Sequence, residues 1–253
     1  MEFLIFSTFQ SFLVAAFIIL LGQIIYSALG FGSAMVSITL LSLVFGDLSQ
    51  IIPYFLLLCV PTEIAIVYKN RKKIDFSFVK KFVLFLFAGL IIGSLLLKYA
   101  VPNELVLYLG VIICLIGIYF LFFEEKITFS FKKEGIAGKI FSFLTGILGG
   151  VYGISGPPII IFLKGLKLDK SSFRATILSI FFSMSILRTV IYLFLGLYNL
   201  KILLTAILTM PFVLAGLYIG NKIHLSVSET KFKKITATVL VINGLLLIFK
   251  NLT

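Results

Sequence analysis

Two charged residues stand inside apolar runs, where charge is costly. Glu63 lies in CVPTEIAIVY and Arg188 in FFSMSILRTVIYLF. A carboxyl inside a membrane segment is by default a proton or cation relay; the plainer reading is a residue near a helix end that reaches water. A guanidinium cannot shed its charge, so it needs an anion or water, or else it snorkels outward. Glu63 is therefore the relay candidate. Arg188 is a substrate-binding candidate, a charge that draws anions into a pathway.

A second chemistry sits in GGVYGISGPPIII, which begins at Gly149. Gly153 and Gly156 permit a turn that a Cβ would resist. Ser155 or Gly156 can cap a new helix, with Pro157 at its first position, where the missing N–H costs nothing. The N–H groups of such a buried helix start need a partner, and an anion suits them. Gly30, Gly32 and Ser33 offer the same chemistry earlier in the chain. The plain alternative in both places is a tight turn for close helix packing. Gln23, Tyr26, Tyr152 and Thr176 flank these breaks as pathway candidates, either pore-facing donors or packing hydrogen bonds. Asn243 reads as a packing hydrogen bond. No metal site is expected, because the chain has one histidine and no Cys/His spacing. Cys59 and Cys114 read as small buried hydrophobes. No cofactor or nucleotide motif is present.

These residues must be held by membrane helices. Of 253 residues 60% are hydrophobic and 13% charged, which leaves no room for a sizeable soluble domain. Apolar runs predict spans at 50–68, 82–99, 104–123, 174–197, 202–221 and 234–250. The formal net charge of +12 falls in clusters beside the spans. It therefore reads as orientation and contact with anionic lipids, with no nucleic acid involved. The N-terminus carries no basic residue before Lys69, so a signal peptide is not expected.

The chain repeats itself. Gly30-Phe31-Gly32-Ser33 corresponds to Gly153-Ile154-Ser155-Gly156, and AGLIIG at 88–93 to AGLYIG at 215–220. This gives repeat one at 1–123, a cytoplasmic linker at 124–138 and repeat two at 139–253, all in one membrane domain. Lysines and arginines put 69–81, 126–139, 164–174 and 222–234 inside, with the turns at 100–104 and 197–201 outside. The six residues between Pro157 and Lys164 cover about 9 Å of the roughly 30 Å of hydrocarbon, too little for a return crossing. The hairpins at about 10–46 and 139–164 are therefore expected to be re-entrant. The predicted fold is an all-α polytopic membrane protein. It has two inverted repeats, each a re-entrant helical hairpin plus three transmembrane helices, with both termini outside. Such a plan suits a secondary transporter. In it, Glu63 and Arg188 would lie about 10 Å apart along the membrane normal, too far to pair directly.

The block GGVYGISGPPIIIFLKGLKLDKSSFRAT resembles the second-repeat signature of the sulfite exporter TauE/SafE family of membrane permeases, and GFGSAM resembles the first. In GFGSAM, Ser33 and Ala34 stand where further glycines are common. The resemblance implies a multi-pass permease of the bacterial-type inner membrane for sulfite, organosulfonates or similar anions, and it adds weight to Arg174 in FRAT. Together the readings give a secondary transporter, in the export direction, working by alternating access. The anion would be held between the hairpins by half-helix N-termini with Ser33 and Ser155. The alternatives are a permease for a cation or metal, a membrane-embedded lipid enzyme and a scaffold. Few intramembrane acids disfavour the first, and the lack of a catalytic set disfavours the second. A scaffold leaves the buried breaks unexplained. A homo-oligomer stays open.

Overall fold

In lipid, a chain satisfies its own N–H and C=O groups only as helix or closed barrel. Long apolar runs without strand alternation leave helix. The structure, a computed structural model, describes residues 4–29, 32–70, 76–123, 130–133, 135–223 and 229–252. Among the described residues there are ten α-helices and no strand. They are α1 (Phe9–Leu29), α2 (Ser33–Phe45), α3 (Leu48–Asn70), α4 (Phe76–Tyr99), α5 (Pro102–Ile118), α6 (Ile136–Tyr152), α7 (Gly156–Gly165), α8 (Lys170–Phe194), α9 (Leu200–Ile223) and α10 (Glu229–Leu252). A π-helical turn, Tyr119–Phe123, extends α5.

Among the described residues, six stretches are long and apolar enough to cross a membrane: Phe9–Ser27, Phe76–Tyr99, Pro102–Phe123, Ala175–Phe194, Leu200–Lys222 and Lys234–Leu252. Five coincide with expected spans. The expected span at 50–68 falls on α3, whose 23 residues run through Pro61 as one helix. Thr62 Oγ1 there donates to the Cys59 carbonyl at 2.7 Å. The remaining candidate is α1, expected to be only a hairpin leg. Its 21 residues reach about 32 Å. Large apolar side chains on the outer surface, such as Leu84 at 69% and Phe194 at 88% exposure, suit a lipid surround.

The helices gather into two compact units, each drawn from separate stretches of the chain. One comprises Met1–Leu58, Ala100–Ile127 and Tyr198–Thr253; the other, Cys59–Tyr99 and Thr128–Leu197. In the first unit, α2 doubles back on α1. Gly22 leaves room for Ser37, and the Phe45 ring reaches Phe6 at 4.6 Å. Helices α1 and α9 run parallel: Phe12 meets Phe212, Gly216 meets Leu20 and Gly220 meets Ile24. Ser27 seals the pair by donating to the Leu217 carbonyl at 2.9 Å. Helices α5 and α10 run antiparallel, Gly110 against Gly244 and Gly117 against Ala237. Asn243 beside that seam is 5% exposed, and its Nδ2 has no partner, so the expected packing bond is not made there.

In the second unit, α7 doubles back on α6. The Phe131 N–H donates to the Gly165 carbonyl at 2.9 Å, and Phe162 stacks near Phe141 at 5.9 Å. Helices α4 and α6 run parallel, with Gly89 facing Phe143 and Gly146, and Gly93 facing Ile147 and Gly150. Ser142 donates to the Phe82 carbonyl between them. A Cβ at Gly89 would stand 2.2 Å from the Phe143 carbonyl oxygen, so the backbones touch. Both AGLIIG and AGLYIG are thus small-residue packing faces of the kind that joins membrane helices.

Candidate functional site

The site builds from the break between α6 and α7. Helix α6 ends because Gly153 takes a left-handed conformation, φ 68° and ψ 9°. Its N–H returns to Gly149 at 3.0 Å and that of Ile154 to Leu148 at 3.3 Å, which closes the last turn. Gly156 is the first residue of α7. Only Gly153, not Gly156, needs glycine's freedom of φ. This corrects two expectations, since Pro157 then takes the second helical position and Pro158 the third. Prolines carry no N–H, so of the first four residues of α7 only Gly156 and Ile159 offer donors. Ser155 stands at the cap, 5% exposed, but its hydroxyl makes no capping bond. The prolines explain why: the donors a cap would serve are missing.

Helix α8 lays polar side chains against this break. Arg188, 2% exposed, donates through one terminal NH to the Gly149 carbonyl at 2.7 Å. Tyr192 donates to the Gly150 carbonyl at 2.7 Å. The guanidinium carbon lies 5.9 Å from the centre of the Tyr192 ring. A cation at the carbonyl end of α6 is favourably placed in the helix dipole. That contact meets part of the arginine's demand for a partner, while its Nε has none.

Glu63 completes the group. It is 8% exposed, shares a hydrogen bond with Ser185, and lies within electrostatic reach of Arg188. Its Oε2 has no partner. Cys59, one turn earlier on α3, is in reach of both charges. Glu63 and Arg188 thus act on one another electrostatically. Tyr152 and Thr176 are also buried in this unit, at 4% and 2% exposure.

The other unit holds the first break. Gly32, φ 94°, is left-handed just before α2, and Ser33 opens that helix at 5% exposure. No proline interrupts the start of α2, so Ser33, Ala34 and Met35 all retain N–H groups. Gln23 is 1% exposed with both amide atoms unpartnered, and Ser37 is fully buried with its hydroxyl unpartnered. Tyr26 is 7% exposed. Gly30 and the side chain of Arg174 lie outside the described residues. Among the described residues no group of three or more His, Cys, Asp or Glu could hold a metal ion.

Sequence reasoning missed Ser185, Tyr192, Ser37 and the place of Cys59. A signal existed for three of them. Ser185, Arg188 and Tyr192 fall at i, i+3 and i+7 on one face of α8, and Cys59 and Glu63 at i and i+4 on α3. The group can hold an anion at Arg188 and carry a proton at Glu63. No curated protein and no solved structure matches the chain. The model of the sulfite exporter TauE/SafE family matches residues 14–247, nearly the whole chain, and members of that family are transporters rather than enzymes. This multi-pass chain with a buried arginine at a helix break belongs to the TauE/SafE family of membrane transporters.

Proposed function

We propose that this protein is a secondary transporter that exports a small sulfur-containing anion, sulfite or an organosulfonate, by alternating access. The anion sits against Arg188 at the α6–α7 break, with Ser155 and the Gly156 N–H as further donors. Arg188 carries the reading: it is buried, held at one nitrogen by a backbone carbonyl, and unpartnered at Nε. A fixed cation of that kind suits an anion that cannot be neutralised near pH 7. Gln23, Ser33 and the N–H groups opening α2 supply a second, uncharged set of donors in repeat one.

Glu63 is the coupling residue. A carboxyl beside Arg188 is bound to be sensitive to an arriving anion, since a second negative charge disfavours its ionised form. Anion binding would then favour proton uptake at Glu63, so both would cross together. The inverted-repeat plan, with termini outside a bacterial-type plasma membrane, is supported by the lysine clusters and by the returning courses of α2 and α7.

The test is flux in proteoliposomes with labelled sulfite and a labelled organosulfonate under an imposed proton gradient. Saturable flux of one of them, driven by the gradient, is expected. The unpartnered Glu63 oxygen favours one second reading, a cation permease. Flux of a monovalent cation with no sulfite or sulfonate flux would establish that reading instead.

A further inference from the structure

A helix leaves its last carbonyls without partners of its own, and in a membrane each needs one. At the end of α7 the carbonyls of Leu163 and Lys164 accept from the N–H groups of Leu166 and Lys167, at 3.2 and 3.1 Å. The Gly165 carbonyl accepts from farther along the chain. Its donor is the Phe131 N–H at 2.9 Å, from the segment that precedes α6. The Phe131 ring settles on the same spot. A Cβ at Gly165 would stand 2.2 Å from that ring, so the ring lies against bare backbone. It also reaches Phe162 of α7 at 5.6 Å and Phe141 of α6 at 5.4 Å. Phe162 is fully buried and meets Phe82 of α4 at 5.8 Å. Phe131 thus grips the far end of α7 by both backbone and ring.

The same grip occurs in the other unit. Phe6, from the segment before α1, packs at 4.6 Å on Phe45, the last residue of α2, and edge-on to Tyr54 at 5.8 Å. Phe6 is 3% exposed, and the neighbouring Ile5 N–H is fixed to Thr205 Oγ1 at 3.1 Å. Phe6 and Phe131 stand 125 residues apart. That lies between the 123 that separate Gly30 from Gly153 and the 127 that separate AGLIIG from AGLYIG. Two phenylalanines at one spacing, each holding the end of a helix that doubles back, point to a role beyond filling space. Helix α7 has ten residues and is about 15 Å long. A rod so short, held at one end, has its other end placed as well, and that other end carries Ser155 and the Gly156 N–H. We propose that Phe131 is a positioning residue for the transported anion, setting where the start of α7 stands by gripping its far end at Gly165 and Phe162. This rests on the anion site proposed at the α6–α7 break. A site assembled before its ligand arrives binds more tightly than one the ligand must order, so a loosened grip appears as lost affinity.

Two variants loosen the grip from opposite sides. Phe131→Ala removes the ring and keeps the N–H, while Gly165→Ala pushes the ring away. The first measurement is hydrogen–deuterium exchange of the purified protein over 156–165. Both variants should exchange faster there than the wild type, and Phe131→Tyr, which keeps the ring, should not. Wild-type exchange in Phe131→Ala overturns the proposal. The second measurement is the concentration dependence of labelled sulfite and organosulfonate flux in proteoliposomes. Residues that touch no ligand can shift its affinity by roughly 2- to 30-fold. KM should rise by that much in Phe131→Ala with the maximal rate kept, and Phe131→Tyr should restore it. A merely structural role would lower the maximal rate, through loss of folded protein, at unchanged KM, and that result overturns the proposal. If the wild type shows no saturable flux of either anion, the transport proposal itself fails, and exchange over 156–165 still decides about Phe131. If Phe131→Ala does not fold, Phe131→Leu carries both comparisons.

Discussion

At the residue scale, the chemistry turns on how Arg188 is held. The sequence marks it as a charge needing a partner, and one partner proves to be a backbone carbonyl, that of Gly149. A carbonyl has no side-chain signature, so that bond was not legible. The polar spacing on α8 was. Hydrogen bonds to a charged group contribute about 1.5–3 kcal/mol, so Arg188→Gln should weaken sulfite or sulfonate binding by roughly 10- to 100-fold. Arg188→Lys keeps the charge but loses the planar fork, and should fall between. Calorimetric titration of variants that elute as folded protein reads this. Wild-type affinity in Arg188→Gln would put the anion elsewhere. Glu63→Gln removes the proposed proton carrier and keeps a side chain of similar shape. It should abolish stimulation of flux by a proton gradient while leaving anion binding within about tenfold. Flux that still follows the gradient in that variant would make Glu63 a structural partner of Ser185. The turn allows a further comparison. Gly153 has φ 68°, which costs a residue with a Cβ about 1–2 kcal/mol and a branched one more. Ser155 makes no capping bond. Gly153→Val should therefore lower the melting temperature, whereas Ser155→Ala should leave it unchanged and weaken anion binding by about 2- to 10-fold. A melting loss in Ser155→Ala would mean that its hydroxyl supports the fold.

At the element scale, most helices were legible because membrane spans announce themselves by length and apolarity. The turn back after α6 was legible for a different reason: only six residues separate Pro157 from Lys164, and α7 does return to Phe131, whereas α1, read from the sequence as a hairpin leg, is long and apolar enough to cross a membrane. Pairing was not legible. The motif AGLIIG in α4 names a face on which backbones can touch, but small residues do not say which helix will come. The partner is α6, just as AGLYIG in α9 meets α1. Under the repeat plan read from the sequence, exchanging the halves would map one pair onto the other, the fourth helix of each half packing on the first helix of its counterpart. The close α4–α6 pairing lies within one compact unit and the α1–α9 pairing within the other. The α4–α6 pairing also makes a stability prediction. Overpacking costs about 1–3 kcal/mol where atoms can shift, and more where backbone meets backbone. Gly89→Val and Gly146→Val should each lower the melting temperature sharply or prevent isolation of folded protein. In Gly135→Ala the nearest atom to the new Cβ is 3.4 Å away, so that variant should melt like the wild type. If Gly89→Val were as stable as Gly135→Ala, the close α4–α6 approach would be wrong.

At the scale of the whole molecule, charge and helix direction supply independent arguments about orientation. If 69–81 lies inside, as its lysines and arginine would have it, α4 leaves from there. Because α6 runs parallel to α4, it would leave from the same side, the side that Lys132, Lys133 and Lys139 also favour for its start. In the other unit, α1 runs parallel to α9, so an outside turn at 197–201 carries the start of α1 outside with it. The antiparallel α5 and α10 then put Pro102 and Leu252 on one side. Each packing relation ties together two ends that charge alone had assigned separately. The prediction is that single cysteines at Asn103 and Asn199 react with an impermeant maleimide in intact cells. A cysteine at Lys132 should react only after the membrane is opened. The background needs Cys59→Ala and Cys114→Ala, because both native thiols are free. Flux of that background must be checked first, since Cys59 lies beside Glu63 and Arg188. Reaction of position 132 from outside, with 103 and 199 protected, would reverse the whole molecule and leave the inverted plan intact. Reaction of 103 and 132 from the same side would break the plan itself, since α5 could not then cross between them.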